Sequence, residues 1–152
     1  MRLTVERDEF RLAETFTISR GSRTEAQVLT VRLSDAGAAG WGECVPYARY
    51  GETLESVTGQ IEGLGTADRV ALQEALPAGA ARNAVDCALW DLEAKQAGRR
   101  VWELAGLPAP GPVVTAFTLS LDEPAAMRDA AARHARLPLL KIKLGTPDDM
   151  AR

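Results

Sequence analysis

The chain has 152 residues, and 18 Lys and Arg residues against 21 Asp and Glu residues give it a formal net charge of −3. Its 46% hydrophobic and 26% charged residues are typical of a globular protein and argue against a disordered chain. The sequence shows no basic stripe, so neither nucleic acid nor a membrane is expected as a partner. The charged first residues predict a soluble cytoplasmic protein.

The first 44 residues predict a small antiparallel meander of three strands. The predicted strands are 2–12, 26–34 and 38–44. Between the first two lies a predicted polar loop at 17–24, which carries Arg20 and Arg23. A second predicted loop, at 45–52, follows the third strand and carries two tyrosines.

Helices are predicted after the meander, at 53–63, 68–76 and 80–97. Thr53 is a suitable N-cap for the first of them, and Gly98 is expected to end the third. Asp86 and Asp91 lie on the third helix but are five residues apart. They therefore share no helical face, and a metal site built on this pair is not expected.

A Pro- and Gly-rich connector at 106–112 predicts a domain boundary, with one domain at 1–108 and a second beginning at 113 and running to 152. The second begins with a predicted strand, helix and strand at 113–119, 124–136 and 139–144, and residues 146–149 would start a further helix. This order predicts one βαβ unit with parallel strands. Because a lone βαβ unit cannot bury its own sheet, residues 113–152 are interpreted as part of something larger.

The last predicted strand carries Lys141 and Lys143. Side chains alternate along a strand, so both lysines are expected on one face, with Leu140, Ile142 and Leu144 on the other. Two neighbouring ammonium groups disfavour each other's charge, and burial adds to this, so such a pair can provide a general base. The alternative interpretation is an amphipathic strand with two solvated lysines.

The two cysteines and the single histidine argue against several classes of enzyme. Cys44 and Cys87 lack the close spacing of a zinc site or a redox motif, and each is interpreted as a packing residue. His134, the single histidine, lies in an arginine-rich helical stretch and is predicted at the surface. This pattern argues against Ser-His and Cys-His hydrolases and against a His-ligated metal.

Four stretches of the chain, in order, resemble the enolase superfamily in its muconate-lactonizing-enzyme-like branch, and within it the dipeptide epimerases of the L-Ala-D/L-Glu type. These stretches are 18–26, 42–52, 76–92 and 141–143. The resemblance implies that residues 1–108 are an enolase-like α+β capping domain, made of the three-stranded antiparallel meander plus helices. It implies that residues 113–152 are the first βαβ unit of a truncated (β/α) barrel.

The resemblance also implies roles for individual residues. Lys143 looks like one of two bases that flank the substrate α-carbon, and Lys141 looks like its neighbour, which makes protonation of Lys143 less favourable. Arg23 is similar to an arginine that pairs with the terminal carboxylate of the substrate, and Arg20 on the same loop competes for this role. Thr118 matches a threonine that lines the pocket at the end of the first barrel strand.

The implied reaction is a 1,1-proton transfer on a small dipeptide. One lysine removes the α-proton, Mg²⁺ stabilises the enediolate, and an opposing lysine returns a proton on the other face. In the family, the metal-binding carboxylates come from the third, fourth and fifth barrel strands and the opposing lysine from the sixth. Residues 1–152 are therefore expected to hold no metal ligands and to be inactive by themselves.

Two classes of function remain open. The chain is either the N-terminal part of an isomerase, a Mg²⁺-dependent dipeptide epimerase, or a non-catalytic capping or assembly module. Within the enzyme class, a cycloisomerase or an o-succinylbenzoate synthase of the same branch is an alternative, since substrate identity is poorly determined by fold. Assembly into a homo-oligomer is also left open.

Overall fold

A computed structural model describes residues 1–65, 68–145, 147 and 149–151 of the chain. The chain divides into two compact units. The first contains Met1–Glu9 and Gln27–Pro110, and the second contains Phe10–Ala26 and Gly111–Arg152. The hairpin tip at Phe10–Ala26 thus groups with the C-terminal residues, while the predicted linear boundary between 108 and 113 stays a prediction.

The predicted meander is present as a three-stranded sheet in the order β1-β2-β3. Its strands are β1 (Arg2–Ile18), β2 (Gly21–Asp35) and β3 (Ala38–Cys44). Strands β2 and β3 are antiparallel, with Leu29 opposite Cys44 and Leu33 opposite Gly40. The predicted loop at 17–24 is wrong, because β1 and β2 continue to a tight turn at Ser19 and Arg20. Polar residues are tolerated there because they lie on exposed strand, and Gly21 after the turn has φ 140°.

The described residues of the first unit form four α-helices, and three of these were predicted from the sequence. The helices are α1 (Leu54–Glu62), α2 (Arg69–Ala75), α3 (Ala80–Ala97) and α4 (Val101–Leu104). Thr53 caps α1 as predicted, in a capping box with Ser56, and Gly98 ends α3 in the left-handed conformation. The single turn of α4 was not predicted, and the predicted loop at 45–52 contains the 3₁₀ turn Ala48–Tyr50.

The core of the first unit lies between the sheet and the helices. Its fully buried side chains come from β2, α1, α2 and α3, and include Leu29, Val31, Leu33, Val57, Ile61, Leu72 and Val85. Strand β3 comes very close to α3: a Cβ on Gly42 would lie 2.0 Å from the carbonyl oxygen of Ala84, and one on Gly40 would lie 2.1 Å from that of Ala88. Glycine is therefore the residue that lets strand and helix backbones approach this closely.

The second unit contains the predicted βαβ arrangement. Its elements are β4 (Phe117–Leu119), α5 (Pro124–Arg133) and β5 (Leu140–Ile142). The two strands are parallel, and each element is shorter than predicted. Val113 and Val114, predicted to begin β4, are exposed and outside regular structure, since a strand needs a ladder partner to form. Of the predicted helix start at 146–149, residues 146 and 148 lie outside the described residues, and Asp149–Ala151 form one 3₁₀ turn.

Two hydrogen bonds hold the hairpin tip within the second unit. The backbone N–H of Leu121 donates to the carbonyl oxygen of Thr17 at 3.1 Å. The hydroxyl of Ser120 donates to the carbonyl oxygen of Thr15 at 3.4 Å. The chain that follows β4 therefore runs beside the end of β1. Within the described part of the chain, no helix is both long and apolar enough to cross a membrane.

Candidate functional site

Lys141 lies in β5, and Lys143 follows directly after its last residue. Lys141 is in register with Thr118 across the parallel pair, so the two side chains are on the same face. The N–H of Lys143 donates to the carbonyl oxygen of Leu119 at 3.3 Å, which continues the ladder by one residue. Alternation then places Lys143 on this same face, where it is half-buried while Lys141 is exposed. The structure thus brings together three of the predicted site residues.

Helix α5 packs against β4 on the opposite face of the strand pair, while Ile142 of β5 on that face is 50% exposed. Leu119 and Met127 are each only 3% exposed there. The ring of Phe117 stacks on that of His134 at the end of α5, with 4.0 Å between centroids and 31° between planes. His134 was predicted at the surface and is instead half-buried by this contact. The lysines therefore lie on the face of the strand pair away from α5.

The hairpin supplies the two arginines predicted for substrate binding. Arg20 lies in the turn, and Arg23 lies in β2 rather than on a loop, with its guanidinium 5.5 Å from the centroid of the Phe16 ring. The turn reaches the residues after β5, since a Cβ on Gly145 would lie 2.7 Å from the Cβ of Ser19. Ser19 precedes Arg20, and Gly145 is two residues beyond Lys143. The turn of the hairpin therefore contacts the chain just beyond the two lysines, at Gly145.

The predicted site residues carry four cationic side chains, two lysines next to each other on one face of the strand pair and two arginines on the hairpin. Such groups favour an anionic small molecule, for which carboxylates are suitable. Among the described residues, no group of three or more His, Cys, Asp or Glu side chains could hold a metal ion. Ammonium and guanidinium groups are not metal ligands, so the predicted site residues themselves are suited to bind an anion and to move a proton.

The cysteines are not nucleophiles of this site. Cys44 is buried in the first unit, and burial, together with the nearby carboxylates of Glu52 and Glu43, raises the pKa of its thiol to about 11. Cys87 was predicted as a packing residue, but it is exposed on α3. Local desolvation and Asp86 also raise the pKa of its thiol. Neither thiol is therefore activated as a thiolate near neutral pH.

Acidic residues of the first unit have structural roles. Glu52 accepts hydrogen bonds from the backbone N–H groups of Ala80 at 2.7 Å and Tyr47 at 3.0 Å, so it caps the N-terminus of α3. The N-cap position of α3 is a glycine without a side-chain acceptor, and this is a sequence signal that another residue caps the helix. Asp91 accepts from the N–H of Trp41 at 2.9 Å and from Lys95 at 2.6 Å, as expected for a structural acid.

Comparison with known proteins gives consistent matches. The family model of the mandelate racemase / muconate lactonizing enzyme N-terminal domain matches residues 1–106. The chain is 46% identical over 139 residues to the L-Ala-D/L-Glu epimerase of Escherichia coli, covering 85% of the chain and 42% of that protein. It is 42% identical over 132 residues to the N-acetyl-D-glutamate racemase of a Pseudoalteromonas species, covering 82% of the chain and 42% of that protein.

Solved structures show the same similarity in three dimensions. An enolase family member from Agrobacterium tumefaciens, with homology to dipeptide epimerases and with bound sodium and L-Ala-L-Glu, has a TM-score of 0.90 and 51% identity. The match covers 99% of this chain and 48% of that one. The dipeptide epimerase from Enterococcus faecalis, complexed with Mg and L-Leu-L-Tyr, has a TM-score of 0.85 and 30% identity, covering 99% and 47%. The chain thus spans less than half the length of the relatives it matches.

Proposed function

Since this chain belongs to the mandelate racemase / muconate lactonizing enzyme family of the enolase superfamily, we propose that it is the N-terminal part of a dipeptide epimerase of the L-Ala-D/L-Glu type. In this proposal residues 1–108 are the capping domain and residues 113–152 begin the barrel. The observation that carries the proposal is the common face of Thr118, Lys141 and Lys143 on the parallel strand pair. Helix α5 packs on the other face, against β4.

Each residue of this face has a role in the proposed reaction. Lys143 takes the α-proton of the substrate, and the neighbouring charge of Lys141 disfavours the protonated form of Lys143 and attracts the substrate carboxylate. Thr118 lines the pocket beside Lys141. Arg23, or Arg20 in the turn, pairs with the distal carboxylate of the substrate. The proton taken by Lys143 is balanced by one delivered to the opposite face of the α-carbon by a second base outside residues 1–152.

Mg²⁺ is proposed for the whole protein because solved relatives are complexed with it. We propose that its ligands come from outside residues 1–152. The roles proposed for Lys143, Lys141, Thr118 and the arginines are proton transfer and substrate binding. None of these roles requires a contact with the metal. Without a source of enediolate stabilisation, worth several kcal/mol in metal-assisted reactions, residues 1–152 by themselves should not epimerise a dipeptide.

The substrate class follows from the two closely matching relatives and the hairpin. One relative acts on an L-Ala-D/L-Glu dipeptide and the other on N-acetyl-D-glutamate. In both compounds an acylated nitrogen and a carboxylate flank the α-carbon of a residue with an anionic tail. Arginines on the hairpin suit that tail. Relatives named as epimerases and racemases favour 1,1-proton transfer over the cycloisomerase and o-succinylbenzoate synthase alternatives.

The decisive experiment is α-proton exchange. The coding region downstream of codon 152 is read first, and the protein it encodes is incubated with Mg²⁺ in D₂O and either L-Ala-D-Glu or N-acetyl-D-glutamate. Loss of the α-proton signal in the NMR spectrum would support the proposal, together with appearance of the other epimer of the dipeptide or loss of optical rotation of N-acetyl-D-glutamate, whose two forms are enantiomers. Absence of exchange with both compounds, or a coding region without acidic residues at the ends of further strands, would favour a non-catalytic capping or assembly module instead.

A further inference from the structure

The contact between Ser19 and Gly145 joins the hairpin turn to the end of β5. Gly145 has φ 143°, in the left-handed region that favours glycine. A Cβ placed on it would lie 2.7 Å from the Cβ of Ser19 and 3.2 Å from its hydroxyl oxygen. Its N–H donates to both carboxylate oxygens of Asp149, at 2.8 and 3.1 Å. Gly145 is therefore held from one side and has no room for a side chain on the other.

The hairpin tip is attached at two places along its length. Further from the turn, the carbonyl oxygens of Thr15 and Thr17 accept from Ser120 and Leu121 after β4. At the turn itself, Ser19 meets Gly145 after β5. The first attachment holds the stem of the hairpin, and the second determines how close the turn comes to the strand with the lysines. Arg20 directly follows Ser19, so its backbone position depends on this second contact.

We propose that Gly145 is a positioning residue, which seats the hairpin turn against the end of β5 and thereby sets the distance between the hairpin arginines and Lys143. The proposal rests on the proposed function in one respect: the hairpin arginines are taken to bind the substrate's distal carboxylate. A side chain at position 145 pushes the turn away. The tail carboxylate is then bound less well, while the α-proton is still taken by Lys143.

The expected kinetic result is a change in KM rather than in kcat. In the full-length protein, Gly145→Ala should raise KM for L-Ala-D-Glu by about tenfold, the order lost when a charged hydrogen bond is misplaced, and should change kcat by less than about threefold. An unseated turn should also be cut faster by trypsin after Arg20, which is exposed. The cleavage rate is read by mass spectrometry and needs no catalysis.

Variants of Ser19 separate the contact from backbone strain. Ser19→Gly removes the Cβ that the new methyl group would meet. The double variant with Gly145→Ala should therefore return KM and the rate of trypsin cleavage most of the way to the values of the parent protein. Ser19→Ala keeps that Cβ and should rescue neither. Each double variant is compared with its own Ser19 single variant. Gly37→Ala is the control, since Gly37 has φ 83° but open space around it, and it should leave KM unchanged.

Three outcomes would overturn the proposal: unchanged KM and cleavage in Gly145→Ala, equal rescue by Ser19→Ala and Ser19→Gly, or the same rise in KM in Gly37→Ala. A parent protein without epimerase activity would contradict the proposed function instead. In that case the trypsin pattern alone decides whether Gly145 seats the turn. Faster cleavage of Gly145→Ala that is reversed by Ser19→Gly and not by Ser19→Ala would support the role of Gly145 in positioning the turn. Any other cleavage pattern would contradict that role.

Discussion

Gly42 of β3 lies directly against Ala84 of α3, so closely that a Cβ on the glycine would come within 2.0 Å of the alanine's carbonyl oxygen. Ala88, the alanine one turn later on α3, is fully buried, and Gly40 makes the same close approach to its carbonyl oxygen. Small residues on both elements therefore bring the edge strand of the sheet against the longest helix. This arrangement places the loop after β3 next to the N-terminus of α3, where Glu52 caps it.

We expect Gly42→Ala to destabilise the first unit by about 3 kcal/mol or more, because overpacking against a backbone cannot be relieved by a rotamer change. Gly59→Ala is the matched control, since Gly59 lies within α1 with open space around it. It should be neutral or stabilise by up to about 1 kcal/mol, the helix propensity difference. Urea unfolding followed by circular dichroism measures both. Equal stability of the two variants would contradict the close approach.

Cys44 gives the stability of the first unit a dependence on alkaline pH. The pKa of its thiol rises from an ordinary 9.0 to about 11 in the folded chain, chiefly through burial. Above the ordinary value the unfolded chain loses this proton while the folded chain keeps it, so the unfolded state binds fewer protons. Stability therefore falls as pH rises from about 9.0 to about 11.

The measurement compares the original chain with Cys44→Ala by urea unfolding at about pH 8 and about pH 10. Other groups titrate in this range, so the informative quantity is the difference between the two pH slopes. The original chain should lose up to about 1 kcal/mol per pH unit more than the variant. Cys87→Ala is the control, because Cys87 is exposed and its removal should change the slope less. Identical slopes for the original chain and Cys44→Ala would show that burial does not shift this thiol.

Local patterns in the sequence were sufficient for most elements of the fold. The bounds of α1 and α3 follow from Thr53, Gly98 and helical spacing, all of which act within a few residues. The common face of Lys141 and Lys143 follows from strand alternation alone. The register of Lys141 with Thr118 needed the structure, because it depends on how two strands separated by a helix are aligned.

The features that the sequence did not predict depend on contacts between distant residues. Residues 17–24 look like a polar loop because their polarity is high, yet they form the end of a hairpin whose stem is held by Ser120 and Leu121. The contact of Ser19 with Gly145 and the capping of α3 by Glu52 join residues far apart in the chain. The pattern of hydrophobic residues over a short stretch of sequence contains no information about such contacts. The hairpin position is therefore the part of the candidate site that only the structure could provide.

The arginine that binds the substrate tail can be identified by paired variants of the full-length protein. Arg23→Met should raise KM for L-Ala-D-Glu by about 10- to 100-fold, the range for a hydrogen bond to a charged group, with a much smaller effect on L-Ala-D-Gln, whose tail is neutral. Arg20→Met is the competing variant. If Arg20→Met shows the tail-dependent effect and Arg23→Met does not, the role belongs to the turn. Unchanged KM in both variants would rule out tail recognition by the hairpin.

Lys143 should remove the proton from only one face of the α-carbon. Replacing it should therefore affect proton exchange of one epimer and not of the other. In the full-length protein Lys143→Ala should abolish epimerisation. It should also slow α-proton exchange by about 10³-fold for one epimer of Ala-Glu, while the other epimer still exchanges through the opposing base. Lys143→Arg should behave alike, because a guanidinium does not accept a proton at neutral pH.

Lys95→Ala, at the remaining lysine of the chain, is the control. Lys95 forms hydrogen bonds with Asp91 and with the Ala39 carbonyl oxygen in the first unit, so exchange of both epimers should persist. If Lys143→Ala loses exchange of both epimers, this lysine also binds the substrate. If it retains exchange of both epimers, another residue is the base.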